Sequence, residues 1–358
     1  MRSCASWKSY RRGVMKLSDA AEYLKEYKGR ELRLMEVCGT HTAGIVLNGI
    51  PSMLSERIRL ITGPGCPVCV TVTEYIDRLI ALSREPGNVI VSFGDLLRVP
   101  GSEGSLNQAR AQGADIRFVY SPSEMLAFAK EDRYRTFIFA AVGFETTAPV
   151  YASMLSQAEE EGIDNIKLLT SLKTMPQAIR RVSDGIDGFL APGHVAVITG
   201  TDAYKRLSEE LGVPFVVSGF TGKELTAAIY ALVRLAGKGE EAGFLNLYPR
   251  AVKSGGNEKA RAVVRSFFET GDAAWRGMGL IPGSGLYLRE KYIKYDAGSR
   301  KLDRDQNMKG CRCPEVITGK CDPCDCPLFL TRCTPEHPVG ACMVSQEGAC
   351  FNCMKNRR

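Results

Sequence analysis

Two groups of cysteines carry most of the chemistry open to this chain. The first is Cys38-Gly39-Thr40-His41 with Gly63-Pro64-Gly65-Cys66-Pro67-Val68-Cys69. The second is Cys311, Cys313, Cys321, Cys324, Cys326, Cys333, Cys342, Cys350 and Cys353. Thiolates are soft ligands that select iron–sulfur clusters, zinc and copper(I), and a C-x-x-C pair is a common dithiol redox unit. One dithiol and one thiol-rich tail in the same chain suggest electron or metal traffic between two centres.

The spacing predicts that Cys66 opens a helix running through Tyr75 and Leu79, where free N–H groups and the helix dipole stabilise a thiolate. Cys38 gains weight from lying on the same predicted strand-end edge. Three thiols there suit a soft low-valent metal or a disulfide exchange, with Thr40 and His41 as hydrogen-bond donors to polar ligands on that metal. Glu145 and His194 follow two further strands. Glu145 also suits a cap on the helix after it, and His194 a carbonyl hydrogen bond within a turn. In the tail, four thiolates would wrap a cubane cluster, and Cys326-Pro327 is a Cys-Pro step of the kind found beside such ligands. Cys321-x-x-Cys324 with Cys350-x-x-Cys353 fits a four-cysteine zinc ribbon, and spacing leaves both readings open.

The elements that must position these residues alternate. Apolar runs at 31–37, 58–62, 88–93, 115–119, 136–142, 166–170, 187–190 and 213–217 read as strands. Helical periodicity fills 18–28, 71–84, 121–131, 146–160, 175–183 and 222–236, with one more helix near 258–269 and turn-rich sequence at 277–285. This is the pattern of parallel sheets covered by helices, whose ligands bind at the carboxyl ends of the strands. The expected fold class is α/β: two Rossmann-like parallel-sheet domains plus a smaller C-terminal iron–sulfur domain. A (β/α)8 barrel is the alternative. The expected division is a basic tail and helix over 1–30, α/β domains over 31–130 and 131–236, and the iron–sulfur domain over 237–358.

The 358 residues carry a formal charge of +7. Arg2, Lys8, Arg11, Arg12 and Lys16 supply five of these charges, and Lys355, Arg357 and Arg358 three, which leaves the body near −1. No basic stripe with interleaved aromatics remains, so a nucleic-acid partner is not expected. No apolar run is long enough to span a bilayer, and no signal peptide is read, so the expected location is cytoplasmic, with reduced cysteines. Residues 1–14 offer no apolar periodicity and are expected to be disordered or absent from the native protein, with Met15 as its start.

In combination, these motifs resemble the HypD family of [NiFe]-hydrogenase maturation proteins. The matching residues are Met35-Glu36-Val37-Cys38-Gly39-Thr40-His41, Gly63–Cys69, Gly143-Phe144-Glu145-Thr146-Thr147-Ala148-Pro149, Pro192-Gly193-His194-Val195, Cys326-Pro327-Leu328-Phe329 and Met343–Cys350. The resemblance implies a scaffold on which an Fe(CN)2(CO) moiety is built with the small chaperone HypC. It implies that HypE with HypF deliver the cyanide for that moiety, which then passes to the hydrogenase large subunit. It implies iron held at Cys38, Cys66 and Cys69, and a [4Fe–4S] cluster on Cys326, Cys333, Cys350 and one of Cys311 and Cys313, taken as Cys313. Pro314 departs from the glycine usual after the C-x-C pair, and Cys321, Cys324, Cys342 and Cys353 exceed the four ligands needed. A competing function is a ferredoxin-linked disulfide reductase using the same cluster and the Cys66–Cys69 dithiol.

Overall fold

The computed structural model describes residues 17–239, 242–306 and 308–356. The expected behaviour of residues 1–14 lies outside the described residues. Among the described residues, no helix is long and apolar enough to cross a membrane.

The strands are β1 Leu32–Glu36, β2 Ile58–Thr62, β3 Asn88–Ser92, β4 Ile116–Phe118, β5 Thr136–Gly143, β6 Ile166–Lys173, β7 Gly188–Pro192, β8 Pro214–Ser218, β9 Gly243–Asn246, β10 Phe268–Trp275 and β11 Gly279–Leu288. They form two open sheets, so the fold is α/β with two parallel-dominated sheets and the barrel alternative falls. The first sheet runs β2-β1-β7-β8-β9 and is parallel throughout. The second runs β10-β11-β6-β5-β3-β4, parallel from β6 to β4, with β11 and β10 added antiparallel. Central strands such as β5 (TFIFAAVG) are apolar almost without interruption because helices cover both faces.

Numbered within itself, the first sheet has the order 2-1-3-4-5, a doubly wound arrangement. Its switch point lies between β1 and β7, the place where such sheets bind ligands. Cys38 lies two residues past the end of β1 and His194 two residues past the end of β7. The four parallel strands of the second sheet repeat the same order, with their switch point between β3 and β5.

The expected division into 31–130 and 131–236 does not match these sheets. After β2 the chain leaves the first sheet, builds β3 to β6 of the second, and returns at β7. The segment 237–358 is not one domain either, since β9 completes the first sheet while β10 and β11 extend the second. From about residue 290 the chain is irregular, with short helices. This last segment has no separate core: Cys313, Val316, Ile317, Met343 and Met354 pack with Met35, Val37 and Ile61 of the first sheet.

Candidate functional site

Site geometry starts at the end of β1. Gly63 N donates to Glu36 O (2.8 Å) and Gly39 N to Gly65 O (3.0 Å), which lays the Gly63–Cys66 turn along Val37 and Cys38. The Glu36 carboxylate turns back beneath this turn. Its Oε2 accepts from Cys38 N at 2.9 Å, and its Oε1 from the Thr42 hydroxyl. Burial pushes the Glu36 carboxyl up to about 7 against those hydrogen bonds.

Cys38 caps the helix Gly39–Leu47 with an extended backbone, and its thiol is buried. Burial drives that thiol up to about 12, opposed by hydrogen bonds from the His41 and Thr40 main-chain N–H groups. A thiolate formed here meets ready donors at a helix N-terminus. The helix-start position expected for Cys66 therefore belongs to Cys38. The helix after Cys69 begins only at Thr73. Its first turn is pre-empted because Val70 O and Thr71 O accept from Arg276 rather than from residues one turn on.

Cys66 and Cys69 are both buried, with their sulfurs at disulfide distance and Cα atoms 5.2 Å apart. Two sulfurs bonded to each other are not thiolate donors, so holding a metal on them requires reduction. Accordingly, among the described residues no three His, Cys, Asp or Glu side chains converge on a single-ion site.

The side-chain donors of Thr40 and His41 are already engaged, contrary to the role expected for them. Thr40 Oγ1 donates to Glu347 Oε1 (2.8 Å). His41 is fully buried with Nε2 3.1 Å from Gly219 O, which makes Nε2 the protonated nitrogen. Its Nδ1 is a bare acceptor with no hydrogen-bond partner among the described residues. Burial holds the imidazole neutral, with its pKa lowered to about 4. Phe220 lies between His41 (4.8 Å) and His194 (3.7 Å, stacked), so His194 is a ring-stacking residue. The Phe220 loop is held by a capping box between Thr221 and Glu224.

Glu145 does not cap the helix after it. Its Oε1 accepts from Met175 N (2.8 Å) at the start of the helix Met175–Val182, which follows the neighbouring strand β6. Its Oε2 is buried without a partner among the described residues, and burial pushes the carboxyl up to about 7.

The cysteine tail packs directly on this edge. Cys69 Sγ lies 3.9 Å from Ala341 O. Gly39, Cys66, Cys69, Cys342 and Glu347 line one small cavity. Cys313 Sγ is 2.9 Å from Cys342 Sγ. Hydrogen bonds from Cys311 and Cys342 draw the Cys313 thiol well below its ordinary range, with the Arg276 charge adding to them. Cys350 lies within hydrogen-bonding reach of Cys342, both as free thiols. Cys326 and Cys350 lie within electrostatic reach of Cys333. Cys324 and Cys353 form a separate, more exposed pair at 3.1 Å.

A four-iron cluster spreads its thiolates over different irons, so it asks for a ring of thiols rather than convergence on one point. Cys313, Cys326, Cys333 and Cys350, with Cys311 and Cys342 beside them, are a buried soft-donor set of that kind. The residues present fit the group. Of the zinc-ribbon quartet, Cys324 and Cys353 lie together at 3.1 Å, while Cys350 lies within reach of Cys342.

Glu36 and Glu347 belong to matching motifs but were not singled out from sequence. The hairpin residues Trp275 and Arg276 carried no signal there at all.

Fold and site together define a doubly wound α/β protein with buried thiols at a strand-end switch point and a cysteine-rich segment packed over them. The HypD family model, described as "Hydrogenase formation hypA family", matches residues 14–357. The hydrogenase maturation factor HypD of Azotobacter vinelandii is 41% identical over 335 residues, covering 90% of this chain and 88% of the relative. That of Escherichia coli is 40% identical over 344 residues, covering 93% and 91%. A putative hydrogenase expression/formation protein of Methanocaldococcus jannaschii is 40% identical over 351 residues, covering 96% and 97%. The chain belongs to the HypD family of hydrogenase maturation factors.

Proposed function

We infer that this protein is a cytoplasmic scaffold on which an iron atom receives cyanide and CO before transfer to a hydrogenase large subunit. Cys38, Cys66 and Cys69 hold the iron as cargo, and HypC and the HypE–HypF pair are the partners. The observation that supports this best is the joint packing of the Cys38 cap, the Cys66–Cys69 turn and the cysteine tail around one strand-end edge. Soft thiolates suit low-spin iron with diatomic ligands. The Thr40 and His41 N–H groups offset part of the burial that holds Cys38 as a thiol, a bound metal cation would draw off the proton, and Glu36 fixes the turn that presents the sulfur. An external reductant, a thiol exchanging with the disulfide or a one-electron donor acting twice, supplies the two electrons that, with two protons, turn Cys66 and Cys69 into the dithiol that binds metal. Cys313, Cys326, Cys333 and Cys350 would hold a [4Fe–4S] cluster, which supplies one-electron redox chemistry beside that dithiol. Thr40 serves by tethering Glu347 of the tail, and His41 by anchoring the cap helix to Gly219.

The test is complementation of hydrogenase maturation. Cys38→Ala, Cys66→Ala and Cys69→Ala should each abolish it while leaving the visible absorbance of the tail intact. Maturation surviving all three would refute the reading.

A further inference from the structure

The tip of the β10–β11 hairpin reaches from the second sheet to both cysteine groups. Trp275 is fully buried, stacks on Phe144 at 5.9 Å and donates from Nε1 to Ser284 Oγ (2.8 Å), which fixes the tip. The next residue, Arg276, is 3% exposed. Its main-chain N donates to Val70 O (2.9 Å) and its Nε to Thr71 O (2.8 Å), on the segment leaving Cys69. Gly277 comes next with φ +75° and packs on Pro314, the residue after Cys313, so closely that a Cβ would overlap it. One hairpin tip therefore touches the chain just after the dithiol and the chain just after the C-x-C pair.

The charges at this tip do not balance. Arg276 Nη2 is buried with no hydrogen-bond partner among the described residues. Its ion pair with Asp305 is loose, at 4.0 Å. Asp305 already accepts from Thr73 N (3.2 Å) and Gly277 N (3.3 Å). Lys173, also buried, donates to Ala274 O (2.6 Å) and feels that same carboxylate. Burial lowers the Lys173 ammonium to about 7, so the standing charge is that of Arg276, set against one loosely held carboxylate in a place where an unmatched guanidinium donor is costly. Through Gly277 on Pro314, the tip that carries Arg276 lies against the chain one residue beyond Cys313. A metal centre held by four thiolates would supply the missing anion.

We propose that Arg276 is a positioning residue that clamps the chain leaving the Cys66–Cys69 turn against the cysteine-rich segment and turns its free Nη2 donor toward the anionic, thiolate-ligated centre there. This rests on the cluster reading of the cysteine tail. The role is electrostatic as well as mechanical, because a cation beside an anionic centre favours its reduced, more negative state.

The experiment is a spectroelectrochemical titration of the full-length, anaerobically purified protein and three variants. Arg276→Met should lower the reduced-to-oxidised ratio at a fixed potential by about tenfold, or ~59 mV for one electron. Arg276→Lys, which keeps the charge, should stay near wild type. Asp305→Asn, which removes the competing anion, should shift the ratio the opposite way to Arg276→Met. A purely structural role would not give opposite signs. Unchanged ratios, or a common direction for Arg276→Met and Asp305→Asn, would overturn the proposal and leave the cluster reading standing. A wild-type protein with no visible redox centre would overturn both. Should Arg276→Met fail to fold, the sign of the Asp305→Asn shift decides.

Discussion

Gly65 lies flat on the main chain of Cys38, so closely that a Cβ at Gly65 would overlap the Cys38 nitrogen and α carbon. The glycine is required by this close approach, which sets the Cys66–Cys69 turn against the Cys38 cap. Gly65→Ala should push the two apart and cost about 1–3 kcal/mol, the usual range for overpacking. Urea unfolding checks the stability, and maturation should be lost even where the variant folds.

Thr40 Oγ1 to Glu347 Oε1 is the side-chain tie between the cap helix and the tail. Removing either partner should cost about 1.5–3 kcal/mol, the scale of a hydrogen bond to a charged group. Hydrogen exchange in the helix Ala349–Asn356 should quicken in Thr40→Val and in Glu347→Ala. The double variant should be little worse than either single one, since both delete one interaction. Additive effects would show that the tail is held elsewhere.

Glu145 gives a pH dependence with a definite sign. Its folded carboxyl is raised from 4.5 to about 7 by burial, so the folded state keeps its proton at pH values where the unfolded state has lost it. No penalty exists below about pH 4.5, and stability falls as pH rises from there through about 7. Glu145→Gln keeps an acceptor for Met175 N and carries no charge. It should match wild type at pH 4 and exceed it at pH 8 by up to ~3 kcal/mol in urea unfolding. A variant less stable at both values would mean the carboxylate is paired.

The eight strands from β1 to β8 were legible because each is a short apolar run between turn signals, as buried parallel strands must be. The three later strands were not. β9 is a half-buried edge, and β10 and β11 contain Gly271, Asp272, Pro282 and Gly283 around a register shift, so they read as turns. The helix Gly39–Leu47 was missed because GTHTAGIVL combines glycines with β-branched residues of low helix propensity. Packing and the cap at Cys38 hold it. The domain division failed for a different reason: which sheet a parallel strand joins is decided by long-range pairing, and β2 and β3 look alike in sequence. The cysteines themselves were found from spacing. Their chemical setting was not, because the hydrogen-bonding role of His41 and the helix start at Cys38 depend on neighbours more than a hundred residues away or on the exact start of a helix.

The tail assignment makes its own prediction. Cys326→Ala or Cys333→Ala should remove both the brown colour and the iron of protein purified without oxygen. Full iron content in either variant would contradict those ligands.

The central claim is that Cys38, Cys66 and Cys69 hold an iron atom while it acquires cyanide and CO. Infrared spectroscopy of the protein produced together with its maturation partners tests this directly, because the bound diatomics absorb where protein does not. The account predicts cyanide and CO bands in the wild-type protein and their loss in the variant with all three cysteines replaced by alanine, the absorbance of the tail remaining. Bands that persist in that triple variant, or a wild-type spectrum without them, as a plain disulfide reductase would give, would contradict it.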